Sequence, residues 1–306
     1  MNFQNFQTQI LKIVASQLKG DYSDSMTRFS YINGGANIFL QLIHNPDYLG
    51  YDREIILLNK IVPKIRRINN SFTQIIDLGP GDGTKASKIV RLLSTQSLEY
   101  FALDISNEML SIAKHEFKNS GLEGRFKICD WHDPISLKGT IKQNNAHSNL
   151  ILLLGNTLTN EINMQEFLTN LKKAIEFLIR PNYLLIGLEI SDGNINEIIK
   201  EYKNEINCSL TVRPLEMVGV SKSDGIVDIK FNKKLRRIEE WFISTGKKNI
   251  ESRNFDISLH AGSRILLSVT YKPTEESIRK IFRESGWNIL FSDFEEDQGM
   301  FLLSSR

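Results

Sequence analysis

The chain has few of the residues that build metal centres and disulfide frameworks. Its 306 residues include two cysteines, Cys129 and Cys208, and five histidines scattered along the chain. Two cysteines are too few for a disulfide framework, and neither residue type has the spacing of a zinc site. We therefore expect no metal site in this protein.

Long apolar runs and a large net charge are also missing. No apolar run reaches 18 residues, and the N-terminus lacks a basic region followed by an apolar core, so we expect a cytoplasmic protein without a membrane segment. A net charge of +2 gives no field that would favour nucleic acid or an anionic membrane as partner. The length suffices for one large domain or for a core with an elaborated lid. The sequence carries no signal for the oligomeric state.

The stretch from Thr73 to Asp104 has the pattern of a strand, a glycine loop, a helix and a second strand. An apolar run ends at an acid, passes through three glycines at every second position and enters a helical pattern, and a second apolar run ends at another acid. This pattern predicts the opening unit of a doubly wound sheet. Asp104 follows Gly83 by 21 residues, close to the roughly 20 expected for a carboxylate that holds ribose hydroxyls.

The glycine spacing separates two classes of cofactor. A dinucleotide fingerprint needs Gly-x-Gly-x-x-Gly/Ala, and Thr84 occupies its last position here. The spacing Asp-x-Gly-x-Gly-x-Gly does fit, and it resembles the first motif of the class I S-adenosylmethionine (SAM) methyltransferases. The matching residues are Asp77, Gly79, Gly81 and Gly83. An ordinary glycine turn would explain the glycines but not the acid that closes each strand.

This resemblance implies a role for each residue of the motif. The glycines pass under the amino-acid end of SAM, and Asp77 orders the loop and the methionine ammonium. Asp104 holds the ribose, and Lys85, just after the loop, belongs to the same cofactor site. The predicted third strand ends at Asp130 and Trp131, where an acid and an aromatic ring bracket the adenine in SAM enzymes.

The remaining pattern completes an α/β chain whose alternation breaks beyond residue 192. Helices are predicted at 3–18, 52–66, 164–179 and 194–206, and from caps at Ser106 and Thr274. Strands are predicted at 126–129, 150–154, 183–188, 235–243, 255–259, 265–271, 287–293 and 299–303. Ligands of open α/β sheets bind beyond the carboxyl ends of the strands. Asn156 and Asn160, after the fourth strand, are therefore candidate contacts for the polar end of a substrate.

Four further segments resemble the histidine-specific, SAM-dependent methyltransferases, typified by the histidine α-N-methyltransferase of the ergothioneine pathway. These segments are Tyr31-Ile32-Asn33-Gly34-Gly35, Pro46-Asp47-Tyr48, Leu154-Gly155-Asn156-Thr157-Leu158-Thr159-Asn160 and Arg237-Ile238-Glu239. The resemblance extends from about Arg28 to the end of the chain. It implies a Rossmann-like SAM-binding core, 57–195 plus 271–306, and a second α+β domain that binds substrate, 1–56 plus 196–270.

The resemblance also implies roles for the substrate-binding residues. In that family the tyrosine matching Tyr31 lies near the substrate amine, where it would be catalytic, and the tyrosine matching Tyr48 lines the pocket. The residues matching Asn160 and Tyr202 hold the substrate carboxylate. All four residue types are kept in this sequence. The sequence therefore predicts a site that grips the backbone of an α-amino acid.

The positions that read the imidazole ring depart from the family pattern. Ser268 stands where the family has a glutamate, Glu240 stands where it has a methionine, and Thr270 ends the same segment. Losing a buried acceptor should weaken a ring N–H contact by roughly 1–3 kcal/mol. The prediction is a SAM-dependent N-methyltransferase for the amine of an α-amino acid, or of an amino-acid-derived small molecule, other than histidine itself.

Other functions stay open on the sequence alone. One is methylation of a peptide, a protein or a natural-product intermediate, and another is a catalytically silent SAM-binding module. A dehydrogenase is a third alternative, which a comparison of thermal stabilisation by SAM and NAD would separate. Nucleic-acid methylation is disfavoured, because the fourth strand lacks the Asn/Asp-Pro-Pro-aromatic tetrad that holds a flipped base.

Overall fold

The computed structural model describes residues 3–46, 48, 50–69, 71–93, 98–141, 148–178, 181–191, 195–252 and 254–305. The chain divides into two compact units. The first unit comprises Met1–Tyr48, Asn160–Ile162 and Asn194–Lys272, and the second comprises Leu49–Thr159, Asn163–Gly193 and Pro273–Arg306. The assignment of one domain to SAM and the other to substrate stays a prediction. Asp47, Ile179, Asn194 and residues 94–97 belong to predicted segments but lie outside the described residues.

Between residues 50 and 189 the described helices and strands alternate along the chain. The helices are α1 Phe3–Gln17, α2 Gly35–Ile43, α3 Gly50–Ile68, α4 Thr84–Leu93, α5 Asn107–Asn119, α6 Pro134–Thr140, α7 Met164–Ala174, α8 Ile195–Tyr202, α9 Glu205–Glu216 and α10 Glu275–Glu284. The strands are β1 Gln74–Leu78, β2 Glu99–Asp104, β3 Arg125–Ile128, β4 Asn149–Leu153, β5 Asn182–Glu189, β6 Gly225–Asn232, β7 Arg237–Ser244, β8 Lys248–Ser252, β9 Phe255–Leu259, β10 Arg264–Tyr271, β11 Asn288–Glu295 and β12 Gln298–Ser304.

The second unit contains a seven-stranded sheet in the order β11-β12-β5-β4-β1-β2-β3. Strands β1 to β5 are parallel, and β12 runs antiparallel to both β5 and β11. The chain leaves β1 toward β2 on one side and returns to β4 on the other, so the strand order reverses between β1 and β4. Ligands of such sheets bind at this reversal, beyond the carboxyl ends of the strands. The structure confirms the predicted doubly wound sheet with an antiparallel closing strand.

The core of this unit follows from uninterrupted apolar strands. All residues of β1 and β4 are buried, as expected for central parallel strands covered on both faces. Helix α3 presents one apolar face to the core, with Leu57, Leu58, Ile61 and Ile65 at helical spacing and almost fully buried. This packed core holds the carboxyl ends of the strands in place, where polar residues follow the apolar residues of each strand.

Two predicted helix caps are confirmed. The Ser106 hydroxyl accepts a hydrogen bond from the Met109 N–H at the start of α5. The Thr274 hydroxyl accepts one from the Ser277 N–H at the start of α10. Such caps satisfy one of the free N–H groups of the first helical turn, and each stabilises its helix by about 1 kcal/mol. The cap at Ser106 also holds the chain just after Asp104.

The first unit is built on small antiparallel sheets and helices. A three-stranded sheet has the order β10-β7-β6, and β8 pairs with β9. Alternate residues of β7 are buried, as expected for a strand with one covered face. The pairing of β10 with β7 shifts register between Leu266 and Ser268, so Leu267 forms a β-bulge. This bulge decides which β10 side chain faces Glu240.

The single helix predicted at 194–206 is wrong in its bounds. Among the described residues it is two helices, α8 and α9, separated at Asn204, whose side chain caps α9 by accepting from the Asn207 N–H. Helix α9 continues to Glu216, through a segment that the sequence pattern does not predict as helical. Strands β6 and β8 and helix α6 also have no predicted counterpart. Within the described ranges, none of the helices is long and apolar enough to cross a membrane.

Candidate functional site

The loop between β1 and α4 turns through three glycines whose backbone is left-handed. The φ angles of Gly79, Gly81 and Gly83 are 77°, 58° and 85°, in the left-handed region that side chains rarely tolerate. A Cβ atom on Gly83 would also lie 2.9 Å from the Ala113 Cα atom. The loop therefore depends on glycine both for its turn and for its packing against α5.

The acid near the carboxyl end of β1 is buried. Asp77 is 2% exposed, and its carboxylate accepts a hydrogen bond of 2.7 Å from the Tyr100 hydroxyl. Burial raises the pKa of Asp77 to about 7, although the Tyr100 hydrogen bond and the charge of Lys85 both oppose the shift. A cation or hydrogen-bond donor beside this carboxylate would therefore bind best to its ionised form.

The acid that closes β2 has a similar environment. The Asp104 carboxylate accepts a hydrogen bond of 2.8 Å from the Ser106 N–H, so the start of α5 orients it. Burial of the carboxyl group raises the pKa of Asp104 to about 7, against this backbone hydrogen bond and the nearby His132. A third strand-end acid, Asp130, accepts from the His132 N–H at 3.2 Å.

The indole ring of Trp131 lies beside the glycine loop. It stacks on the imidazole ring of His132, with 4.1 Å between ring centroids, and meets Phe167 edge-on at 5.7 Å. A Cβ atom on Gly79 would lie 4.0 Å from both the Trp131 ring and the Thr157 hydroxyl. The fold therefore brings together residues that follow β1, β3 and β4, which is the arrangement that the sheet topology requires of a ligand site.

A buried ion pair, which the motifs do not reveal, supports this loop. The Lys85 ammonium donates to the Glu54 carboxylate at 2.6 Å, and the other oxygen of Glu54 accepts from the Gly155 N–H at 2.7 Å. Glu54 is 3% exposed. A side chain on Gly187 would overlap the Glu54 carboxylate, so β5 leaves room for this acid. Glu54 therefore links α3, the first turn of α4 just after the glycine loop, and the segment after β4.

A second contact ties α3 to the glycine loop. The Tyr51 hydroxyl donates to the Asp82 carboxylate at 2.6 Å, and Asp82 also accepts from the Thr84 N–H and hydroxyl at the start of α4. Tyr51 and Glu54 stand out only weakly in the sequence. The one available signal is that Glu54 precedes Leu57, Leu58 and Ile61 on the otherwise apolar face of α3.

In the first unit, several of the predicted substrate residues form hydrogen bonds with one another. The Thr270 hydroxyl donates to the Asn160 side-chain oxygen at 2.9 Å. The Ser268 hydroxyl donates to the Glu240 carboxylate at 2.8 Å. Ser268 and Thr270 are two residues apart on β10, so their side chains lie on the same face of the sheet. The fold thus joins four of the predicted residues in one polar row.

Tyr202 contacts two residues that the sequence does not single out, and one of them, Asn207, connects it to this polar row. The Asn207 amide donates to the Tyr202 backbone carbonyl and to the Glu240 carboxylate, both at 2.9 Å. The Lys272 ammonium donates to the Tyr202 hydroxyl at 3.0 Å and lies over its ring. Lys272 continues the alternation of Ser268 and Thr270, which is the only sequence signal that would have pointed to it.

The two remaining predicted residues also lie in the first unit. Tyr31 follows the 3₁₀ turn at Thr27–Phe29 and packs its ring edge-on against Phe39, at 5.3 Å. Tyr48 is half-buried, with its N–H donating to the Asn45 carbonyl. Their roles toward a substrate stay predictions, as do those of the other site residues.

The second unit offers what a SAM molecule requires. The glycines of the loop leave the backbone open to a ligand. The two strand-end carboxylates, whose pKa values are raised, suit an ammonium group and ribose hydroxyls. The indole ring beside the loop suits a flat base. The carboxylates of Asp77, which is buried, and Asp104, which is half-buried, also suit a positively charged ligand. By contrast, the described part of the chain contains no group of three or more His, Cys, Asp or Glu side chains that could hold a metal ion.

Comparison with known proteins agrees with this geometry. The sequence profile of a family described as "histidine-specific methyltransferase, SAM-dependent" matches residues 9–208. The N-methyltransferase imqF of Aspergillus flavus is 22% identical over 284 residues, covering 84% of this chain and 73% of its own length.

Two solved structures share the fold. The PH0226 protein of Pyrococcus horikoshii aligns with a TM-score of 0.51 and 10% identity, over 90% of this chain and 100% of its own. The CurJ carbon methyltransferase aligns with a TM-score of 0.50 and 12% identity, over 99% of this chain and 67% of its own.

Proposed function

The chain belongs to the family of histidine-specific, SAM-dependent methyltransferases, and on that premise we propose that it methylates the amine of an α-amino acid. The substrate is a free amino acid, or a small molecule derived from one, other than histidine itself. The observation that carries the proposal is the polar row of Asn160, Thr270, Ser268 and Glu240, linked by hydrogen bonds of 2.8 and 2.9 Å within each pair. The relative imqF, described as an N-methyltransferase, supports nitrogen as the acceptor.

The cofactor side of the proposal rests on the second unit. SAM supplies a methyl group that its sulfonium centre has already activated. Asp77 would orient the glycine loop and the methionine ammonium, and Asp104 would accept hydrogen bonds from the ribose hydroxyls. Asp130 and Trp131 would bind the adenine by its amine and its face. Lys85, whose ammonium is paired with Glu54, would hold in place the loop that binds the amino-acid end of SAM.

The substrate side rests on the first unit. Asn160 and Tyr202 would hold the substrate carboxylate, and Tyr48 would line the pocket around the side chain. Their hydrogen bonds to Thr270 and Lys272 restrict the rotamers of Asn160 and Tyr202, so less entropy is lost when a ligand binds. Positioning matters most here, because methyl transfer needs the amine nitrogen in line with the bond that breaks.

The acceptor amine has to be neutral when it attacks. The α-amine of a peptide titrates near 8, and that of a free amino acid titrates higher because its carboxylate is ionised, so a small neutral fraction exists at physiological pH without a strong base. The positive charge of the sulfonium disfavours an ammonium beside it, which increases that fraction. Tyr31 would accept a hydrogen bond from the amine and orient its lone pair, and water would take the released proton.

Replacing Tyr31 by phenylalanine should lower kcat about 10- to 100-fold, because the amine loses the group that orients it. The affinity for SAM should stay within about twofold of the wild type, since Tyr31 belongs to the other unit. Steady-state kinetics and calorimetric titration with SAM measure the two quantities separately. An unchanged kcat would remove Tyr31 from the mechanism.

Affinity for SAM should decrease as the pH falls through 7. Burial raises the pKa values of Asp77 and Asp104 to about 7, and both carboxylates bind SAM in the ionised form. For each carboxylate required, the dissociation constant should rise roughly tenfold between pH 8 and pH 6. The nearby charges act in both directions, since Lys85 and His132 lower these pKa values and Glu54 raises that of Asp77.

Adenosine provides the control for this pH dependence, because it has the ribose but no ammonium and does not itself titrate between pH 6 and 8. Its binding should follow the ionisation of Asp104, and the dependence should disappear in Asp104→Asn. A dissociation constant that is flat over this range in the wild type would contradict the assignment of these carboxylates.

The experiment that tests the proposed function is a methyl-transfer assay with SAM, the twenty amino acids and a pool of small amines, read by mass spectrometry. A mass increase of one, two or three methyl groups on a free amino acid would support the proposal and count the methyl groups. If SAM binds but no amino acid or amine is methylated, the amino-acid proposal fails. Peptides, proteins and natural-product intermediates would then be the substrates to examine.

A further inference from the structure

Tyr100 is a core tyrosine whose hydroxyl bonds to the acid that precedes the glycine loop. It lies on β2 and is 2% exposed, and its hydroxyl donates to one carboxylate oxygen of Asp77 at 2.7 Å. In the parallel ladder Tyr100 pairs with Ile75, two residues before Asp77, so both side chains lie on the same face of the sheet. The Tyr100 side chain therefore leans along the strand direction to reach the carboxylate.

Aromatic rings and a glycine hold the ring of Tyr100 in place. It stacks on Phe117 of α5, with 4.2 Å between ring centroids and 20° between the planes, and meets the Phe126 ring of β3 at 5.9 Å. A Cβ atom on Gly124 would lie 2.7 Å from Cδ1 of Tyr100, so this glycine leaves room for the ring. A ring confined in this way presents its hydroxyl to Asp77 from a fixed direction.

The Tyr100 hydroxyl is a donor to Asp77 throughout the physiological pH range. Burial raises the pKa of Tyr100 well above its usual value, and the charge of Asp77 adds to this effect. The phenol therefore keeps its proton. A hydrogen bond donated to a carboxylate favours the ionised form of that carboxylate over the neutral one. Tyr100 thus opposes the effect that burial has on Asp77.

The bond from Tyr100 occupies one oxygen of Asp77. Among the described residues it is the only hydrogen bond that the Asp77 carboxylate accepts, so the second oxygen keeps its capacity for a ligand. We propose that Tyr100 positions Asp77 for the amino-acid end of SAM, holding one oxygen and keeping the group ionised while the other oxygen accepts from the methionine ammonium. This inference rests on the cofactor role proposed for Asp77 and adds the residue that supports it. Tyr100 acts through Asp77, so it is a positioning residue.

The ionisation of Asp77 supplies a signature that packing alone would not give. Burial raises the pKa of Asp77 to about 7, and the hydrogen bond from Tyr100 is the largest of the effects that oppose burial. The charge of Lys85 also lowers this pKa, whereas the charges of Asp104 and Glu54 raise it. Without the hydroxyl, the pKa of Asp77 should rise further, by about one to two units. A residue that only packs would change stability without moving this ionisation.

The test is Tyr100→Phe, which keeps the ring and removes only the hydroxyl. S-Adenosylhomocysteine, which has the ammonium and the ribose of SAM, is titrated calorimetrically into the full chain from pH 6 to pH 8.5. The neutral acid is favoured at low pH, so the variant should bind about 10- to 100-fold more weakly than the wild type at pH 6. At pH 8.5 the difference should be less than about fivefold.

A second readout needs no ligand. Carbon-13 NMR of labelled aspartate carboxyl groups follows the ionisation of Asp77 directly, and the Asp77 signal is assigned by its absence in Asp77→Asn. Its midpoint should lie about one to two pH units higher in Tyr100→Phe than in the wild type. In the Asp77→Asn background, Tyr100→Phe should not alter the pH profile of binding, because the group on which Tyr100 acts no longer titrates.

Two controls separate this effect from a general disturbance of the sheet. Adenosine has no ammonium for Asp77 to bind, so its affinity should stay within about twofold of the wild type in Tyr100→Phe. Tyr183 of β5 packs its ring edge-on against Phe72 in the same unit. Tyr183→Phe also removes one hydroxyl, and it should leave the pH profile of S-adenosylhomocysteine binding unchanged.

Gly124→Ala provides a second variant in case Tyr100→Phe does not fold, which thermal unfolding shows. Its Cβ atom would displace the Tyr100 ring while the hydroxyl is kept. Binding of S-adenosylhomocysteine should weaken with the same pH dependence and by a smaller factor than in Tyr100→Phe.

The outcomes separate this inference from the proposals on which it rests. If Tyr100→Phe weakens S-adenosylhomocysteine equally at every pH, or weakens adenosine as much, the inference is overturned and Tyr100 is a packing residue. If Asp77→Asn binds S-adenosylhomocysteine as the wild type does, the cofactor role of Asp77 fails and the inference fails with it. Neither result decides the acceptor amine, which the methyl-transfer assay tests. A loss that grows as the pH falls, together with the raised midpoint, supports the inference.

Discussion

Replacing Lys85 by methionine is expected to lower the free energy of unfolding by about 3–5 kcal/mol, because it leaves the buried Glu54 carboxylate without its counter-charge. The Lys85–Glu54 pair is 14% and 3% exposed at its side chains, so water cannot replace the lost cation. Urea denaturation without SAM, followed by circular dichroism, measures the change. The same variant should also loosen the glycine loop, since Lys85 connects it to α3.

A surface ion pair provides the matched control. Lys60 pairs with Glu295, and 47% of its side chain is exposed, so Lys60→Met should lower the free energy of unfolding much less than Lys85→Met does. The double variant Lys85→Met/Glu54→Gln should recover much of the loss, because it removes the uncompensated charge while keeping an acceptor for the Gly155 N–H. Equal losses in Lys85→Met and Lys60→Met would show that burial does not strengthen the first pair.

Replacing Asp104 by alanine should weaken the binding of SAM about 100-fold or more. A carboxylate that accepts two ribose hydroxyls makes two hydrogen bonds to a charged group, each worth about 1.5–3 kcal/mol. Asp104 is held for this role by the Ser106 N–H at 2.8 Å, so its loss is not easily compensated by a neighbour. Calorimetric titration with SAM gives the affinity directly.

Glu99 provides the control for the same strand, because it lies at the opposite end of β2 and pairs with the exposed Arg125. Glu99→Ala should leave SAM affinity within about twofold of the wild type. Unaltered affinity in Asp104→Ala would refute the ribose role. A parallel loss in both variants would indicate a general disturbance of β2 rather than a missing ligand contact.

Local sequence pattern is sufficient to predict much of the second unit. Three features there belong to short segments and can be read from them: the glycines with left-handed φ angles, the hydroxyl caps at Ser106 and Thr274, and the uninterrupted apolar strands. The acids Asp77 and Asp104 are visible for the same reason, since each ends an apolar run. Long-range pairing was harder to predict. The edge strand β6 and strand β8 have mixed burial, so their hydrophobic pattern is weak.

What the sequence by itself determined is therefore the class of protein: a doubly wound sheet, a SAM-type glycine loop and the family to which the chain belongs. The tertiary structure decided which charges meet, because contacts such as Glu54 with Lys85 and with Gly155 join residues 31 and 101 positions apart. Ser268 illustrates the difference. In the sequence, Ser268 replaces the glutamate of the family and so removes an acceptor. In the structure, the bulge at Leu267 places Ser268 opposite Glu240. The pairing register of β7 with β10, which no short segment encodes, places the Glu240 carboxylate of β7 beside Ser268.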